Sequence, residues 1–122
     1  MEAREEWTGE AAAESPRVVL TTAPDLETAT RIARGLVERS LVACANLLPG
    51  ARSIFRWQGR IEESDEILIV LKTTQARVGE LERTLGELHP YDVPECVVLA
   101  PSHVEAKYLA WLLGASSGPS WE

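Results

Sequence analysis

Val42-Ala43-Cys44-Ala45-Asn46-Leu47-Leu48-Pro49-Gly50-Ala51-Arg52-Ser53-Ile54-Phe55-Arg56-Trp57-Gln58-Gly59-Arg60-Ile61-Glu62-Glu63-Ser64-Asp65-Glu66-Ile67-Leu68-Ile69-Val70-Leu71-Lys72-Thr73 is the stretch on which the fold turns. Two strand-like arms meet at Gln58-Gly59. A two-residue connection with Gly in second place suits a hairpin, because Gly accepts the positive φ that primed turns require. Arms of about 14 residues at roughly 3.3 Å each reach about 45 Å, whereas a compact domain near about 100 residues has a radius of gyration of about 13 Å. The tip is therefore expected to stand out from the domain. Ile54, Phe55, Trp57 and Ile61 lie near it on both faces of the ribbon, and an isolated hairpin is marginal in water. The expected second surface is another copy of the same chain, with these four residues at the interface. The alternative is a ribbon that bends at Pro49-Gly50 and folds back over its own domain, since Pro and Gly mark bulges and bends.

Outward from this hairpin, the chain alternates strands with helices. Arg17-Val18-Val19-Leu20-Thr21-Thr22 is a β-branched run expected to be a buried strand. Asp25 is placed to cap a helix whose apolar stripe is Leu26, Ala29, Ile32, Ala33, Leu36 and Val37. Gly35 weakens that helix and so suggests a close neighbour. After the hairpin, Thr73 or Thr74 caps a second helix bearing Val78, Leu81, Leu85 and Leu88, which stops at His89-Pro90. Cys96 to Ala100 reads as another buried strand. Ser102 with Glu105 forms a capping box for a last helix carrying Val104, Tyr108, Trp111 and Leu112, ended by Gly114. The order is strand, helix, strand, strand, helix, strand, helix. Its first six elements are those of a ferredoxin-like α+β sandwich, a split β-α-β repeat with helices on one face of an antiparallel sheet.

With 122 residues and 45% hydrophobic content the chain supports one domain with a real core. Residues 1–16 read as a disordered acidic leader, 17–114 as the folded domain and 115–122 as a C-terminal tail. The net charge of −7 sits mostly in the leader, where residues 1–14 hold five Glu and one Arg, so residues 17–114 are close to neutral. That leaves no electrostatic footprint for nucleic acid or an anionic membrane. No apolar run spans a bilayer and no signal peptide is visible, so the expected compartment is the cytoplasm. Cys44 and Cys96 both lie in apolar runs and are read as reduced core cysteines.

Chemistry has few places to live. The only histidines are His89 and His103, and His103 follows a capping serine at a helix start. A thiolate pair of Cys44 with His89 stays open, although a strand-buried thiol is normally inert. There is no glycine-rich phosphate loop. Soft metal sites need clustered Cys, His and Met, and no close pair of these exists here. The most suggestive set is polar and aromatic. Lys72 ends one strand, Glu95 begins another, and His89-Pro90-Tyr91 is a rigid loop, with Trp57 or Trp111 as an apolar wall. A simple Lys72–Glu95 salt bridge at a strand end is the alternative.

Thr22-Ala23-Pro24-Asp25, Ala43-Cys44-Ala45-Asn46 with Pro49-Gly50, Trp57-Gln58-Gly59-Arg60-Ile61, Leu71-Lys72-Thr73 and His89-Pro90-Tyr91-Asp92-Val93-Pro94-Glu95 together resemble the CutA divalent-cation tolerance family over about residues 17–114. The resemblance implies a ferredoxin-like protomer in a homotrimer whose hairpins pair with neighbouring sheets. It also implies a role in the response to metal ions, and an architecture similar to the PII signalling proteins, which bind small effectors between subunits. Members associated with copper carry a cysteine at the end of the first strand and a doubled histidine before the proline. Here those positions are Thr21, Leu88 and His89, so the resemblance implies at most a weak copper or zinc site at His89 and Cys44. The expectation is a non-catalytic homotrimer whose inter-subunit cleft of Lys72, His89, Tyr91, Glu95, Trp57 and Trp111 takes a small anionic ligand or a metal ion. The rival is a small hydrolase, acylphosphatase-like or thiol-dependent. The loop Thr22-Ala23-Pro24-Asp25 lacks the arginine that an acylphosphatase would need.

Overall fold

A computed structural model describes residues 14–117, so most of the expected leader and the end of the expected tail lie outside the described residues. Four strands and three helices follow in the expected order: β1 (Pro16–Ala23), α1 (Leu26–Glu38), β2 (Cys44–Trp57), β3 (Arg60–Thr74), α2 (Gln75–Leu88), β4 (Val97–Leu99) and α3 (Ala106–Ala115). The sheet order is β2-β3-β1-β4, antiparallel throughout. This is the expected split β-α-β sandwich with an additional C-terminal helix. No helix among the described residues is long and apolar enough to cross a membrane.

The core lies between α1, α2 and one face of the sheet. Strands alternate their side chains, so the odd-numbered residues of β1 and β3 share a face. Val19, Ile69 and Leu71 on that face are fully buried with Ile32, Leu36, Leu81 and Leu85 of the helices. Asp25 caps α1 as expected, its carboxylate accepting from the Thr28 N–H at 2.8 Å. The apolar stripe is narrower than the spacing suggests. Ala29, Ile32, Ala33 and Leu36 are buried, whereas Leu26 and Val37 are exposed, because a single sheet face covers only part of the helix girth. Gly35 does face a neighbour, and a Cβ built there would lie 3.4 Å from Leu88 Cδ1.

Three local readings change. Thr74 sits at the N-cap of α2 but its side chain makes no capping bond. The last helix starts at Ala106 with Glu105 itself as the cap, accepting from the Tyr108 N–H at 2.9 Å, so Ser102 and Val104 fall before it. β4 is three residues long and exposed rather than buried, since it is the outer strand and only β1 pairs with it.

The hairpin forms with the expected turn. Gln58 and Gly59 have φ of 52° and 82°, positive at both central positions, which is the type I′ signature. Pro49-Gly50 is a bulge, with Leu48 opposite Leu68 but Ala51 opposite Glu66, and Gly50 supplies a φ of 95°. β1 stops at Ala23, opposite Ile67, so the ribbon beyond it has no third strand. From Arg60 to Glu66 that is about 23 Å of two-stranded projection. Ile54, Phe55, Trp57 and Ile61 keep 65, 43, 44 and 60% of their surface exposed. The ribbon therefore does not fold back over its own sheet.

Candidate functional site

The loop after α2 is pinned by His89. The ring is buried, its Nδ1 accepts from the Tyr91 backbone N–H at 3.1 Å, and its Nε2 lies 2.6 Å from the Thr22 carbonyl. A backbone N–H can only donate, so Nδ1 is the acceptor and Nε2 carries the hydrogen given to Thr22. Pro90 between them keeps the loop extended, and the Tyr91 ring tilts against the imidazole with centroids 4.6 Å apart. His89 thus ties the loop to the end of β1.

Tyr91 in turn ties the loop to the ribbon. Its hydroxyl donates to Glu66 Oε2 at 2.6 Å, while Ser53 Oγ donates to Oε1 at 2.5 Å. Burial raises the Tyr91 pKa, and the bond to Glu66 raises it further, so the phenol stays protonated as a donor. Pairing places Trp57, Phe55, Ser53 and Ala51 on one ribbon face with Arg60, Glu62, Ser64 and Glu66 opposite them. The other face carries Ile54 and Ile61 with Arg52, which bonds Glu63 at 3.0 Å and Asp65 at 2.8 Å.

Between the first ribbon face and the loop is a cleft of about 500 Å³. Phe55, Trp57, Glu62, Ser64 and Glu66 form one wall. Tyr91, Asp92 and Val93 form the other. Of the residues expected in a cleft, Trp57 and Tyr91 line it and His89 holds its loop in place. Lys72, Trp111 and Glu95 are not among its lining residues. Lys72 stands six residues along β3 from Glu66, about 20 Å away. There its ammonium sits 6.0 Å from the centroid of the Tyr108 ring, which is 5.4 Å from that of Trp111. Glu95 is exposed in the loop before β4, where it helps raise the Cys96 pKa, behind burial and Glu82. The expected constellation is thus two separate groups within one chain.

Two expected metal ligands are also reassigned. His89 has both ring nitrogens engaged and offers no lone pair to a metal. Cys44 is not a core residue. It lies opposite Lys72 on the sheet face away from α1 and α2, with its thiol 3.7 Å from Asn46 Oδ1, and Cys96 is the cysteine that packs on the core. His89 bonds Thr22, which lies opposite Leu68, four residues along β3 from Lys72, so thiol and imidazole are separated by about 13 Å along the sheet. That distance also removes the thiolate pair. Among the described residues no three His, Cys, Asp or Glu side chains form a metal-binding group. The donor set of the described residues does not fit a resident copper or zinc ion.

Glu66, Ser53 and Glu62 are site residues that sequence reasoning did not single out. The available signal was the alternation Glu62, Ser64, Glu66, a polar face leading into Ile67–Leu71.

The family described as CutA1 divalent ion tolerance protein matches residues 17–115. The chain is 46% identical over 95 residues to a divalent-cation tolerance protein CutA of Thermus thermophilus, covering 78% of this chain and 92% of the relative. A CutA of Pectobacterium atrosepticum is 43% identical over 95 residues, covering 78% and 86%. Among solved structures, CutA from Xylella fastidiosa is similar with a TM-score of 0.82 and 38% identity, covering 84% of this chain and 99% of that one.

Proposed function

Because this chain belongs to the CutA1 divalent-ion tolerance family, we propose that it serves divalent-cation tolerance as a homotrimer, binding a small effector at clefts beside its hairpins without catalysing a reaction. This is a PII-like mode of action. The observation that carries it is the apolar surface that the chain leaves uncovered. Even-numbered residues of β1 and β3 point away from α1 and α2, and α3 meets this second sheet face with Tyr108 beside Lys72. Leu48, Val97 and Leu99 on that face remain 45, 44 and 46% exposed. These three, and Ile54 and Ile61 on the opposite face of the ribbon, are apolar surface that a single chain does not bury, and the exposed β4 edge is open to pairing. A second and third copy supply the missing cover.

In this reading metal is what the protein responds to, and no step is assigned to a resident ion. An inter-subunit metal site would need ligands other than His89. The hydrolase reading finds no support in the loop after β1, which carries Asp25 and no arginine, nor in the distance between Cys44 and His89. Sedimentation of the full chain at micromolar concentration is expected to give three times the chain mass. A stable monomer there would defeat the assembly proposal.

A further inference from the structure

Glu66 poses a problem of charge. The residue is 8% exposed, and both partners of its carboxylate, Ser53 and Tyr91, are neutral hydroxyls. Among the described residues no cation is paired with it. Buried carboxylates ordinarily have a counter-charge, because neutral donors replace only part of the lost hydration. The nearest arginine on the ribbon by pairing, Arg52, is directed to Glu63 and Asp65 on the opposite face. The cleft beside Glu66 adds Glu62 and Asp92, and no Lys or Arg lines it. Its remaining walls include the rings of Phe55, Trp57 and Tyr91.

From this geometry we infer that the cleft between ribbon and loop binds a small organic cation, a guanidinium or primary ammonium compound, and not an anion. The inference rests on the reading of this cleft as an effector site. A planar guanidinium stacks on aromatic faces and donates to carboxylates in the same plane, which matches a cleft of rings and acids. The volume of about 500 Å³ is within the range of small-molecule pockets. A bare divalent ion is a poorer match, since Glu62, Glu66 and Asp92 do not close into a metal-binding group. Lys72, the cation expected to hold an anionic effector, is about 20 Å away along β3.

The test is calorimetric titration of the full chain with agmatine, and with glutarate as the anionic counterpart. Agmatine is expected to bind once per chain and glutarate not at all. Glu62→Gln and Asp92→Asn, each changing a side chain at the cleft surface, are expected to weaken agmatine by about tenfold or more. Absence of agmatine binding, equal affinity in both variants, or binding of glutarate instead would overturn the inference. Sedimentation of the same samples separates the two proposals. An intact trimer that ignores agmatine removes the cation site alone, whereas a monomer that binds it removes the trimer alone.

Discussion

The two ends of β3 make opposite use of similar side chains. From Ile67 to Thr73 its odd-numbered residues enter a core closed by α1 and α2, and Ile69 and Leu71 keep none of their surface. From Arg60 to Glu66 the same strand runs with only β2 beside it, and Ile61 keeps 60%. What differs is the third strand and the helices above it. Apolar content in a sequence states a demand for cover, and topology decides whether the chain meets that demand alone.

The contrast is tested most strongly by truncating one side chain from each end. Leu71→Ala is expected to destabilise the fold by about 2–5 kcal/mol, the range for large-to-small changes in a closed core. Ile61→Ala should leave the folded protomer within about 0.5 kcal/mol, as for exposed sites, but should make assembly more dependent on concentration. Denaturant unfolding at two protein concentrations reads both, and equal losses that ignore concentration would erase the distinction. Next in size is the joint between ribbon and loop. Tyr91→Phe removes one of the two donors to Glu66 and is expected to cost about 1–3 kcal/mol, the usual penalty for leaving a buried acceptor short of a partner. No loss in urea unfolding would mean that the ribbon stands free of the loop. The smallest effect belongs to the closed end. Gly35→Ala is expected to stabilise by about 0.5–1 kcal/mol, because the gain in helix propensity meets only an ordinary contact with Leu88. A lower melting temperature would show that α1 and α2 are packed more tightly than the 3.4 Å separation indicates.

The same contrast explains what was legible beforehand. The turn at Gln58-Gly59, the Asp25 cap and the order of elements depend on a few adjacent residues, and the sequence displays them directly. The direction in which Cys44 points depends on register with β3, and a shift of one residue reverses every side chain in a strand. The exposure of Val97 to Leu99 depends on β4 lying outermost, which no local pattern announces. The separation of Lys72 from Tyr91 has the same origin. Both stand next to recognisable motifs, yet β3 carries Lys72 to one end of the sheet while the loop holds Tyr91 at the other. Glu66 was hidden because its role appears only when Ser53 and Tyr91 arrive from other parts of the chain.

The bulge at Pro49-Gly50 acts on the ribbon as a half-period phase slip. Before it the even-numbered residues of β2 share a side with Lys72 and Val70, and after it the odd-numbered ones share a side with Glu62 and Glu66. Deleting either residue would remove the extra position and leave the pairs beyond it as they are, with Ala51 still opposite Glu66 and Trp57 still opposite Arg60. Carrying the outer register inward without a bulge would instead set Leu48 opposite Ile69 and Cys44 opposite Thr73, turning both toward the core face. One extra residue, far from any reactive group, lets the sheet keep Ala45 and Leu47 on the core side while the ribbon keeps both aromatic rings beside the cleft.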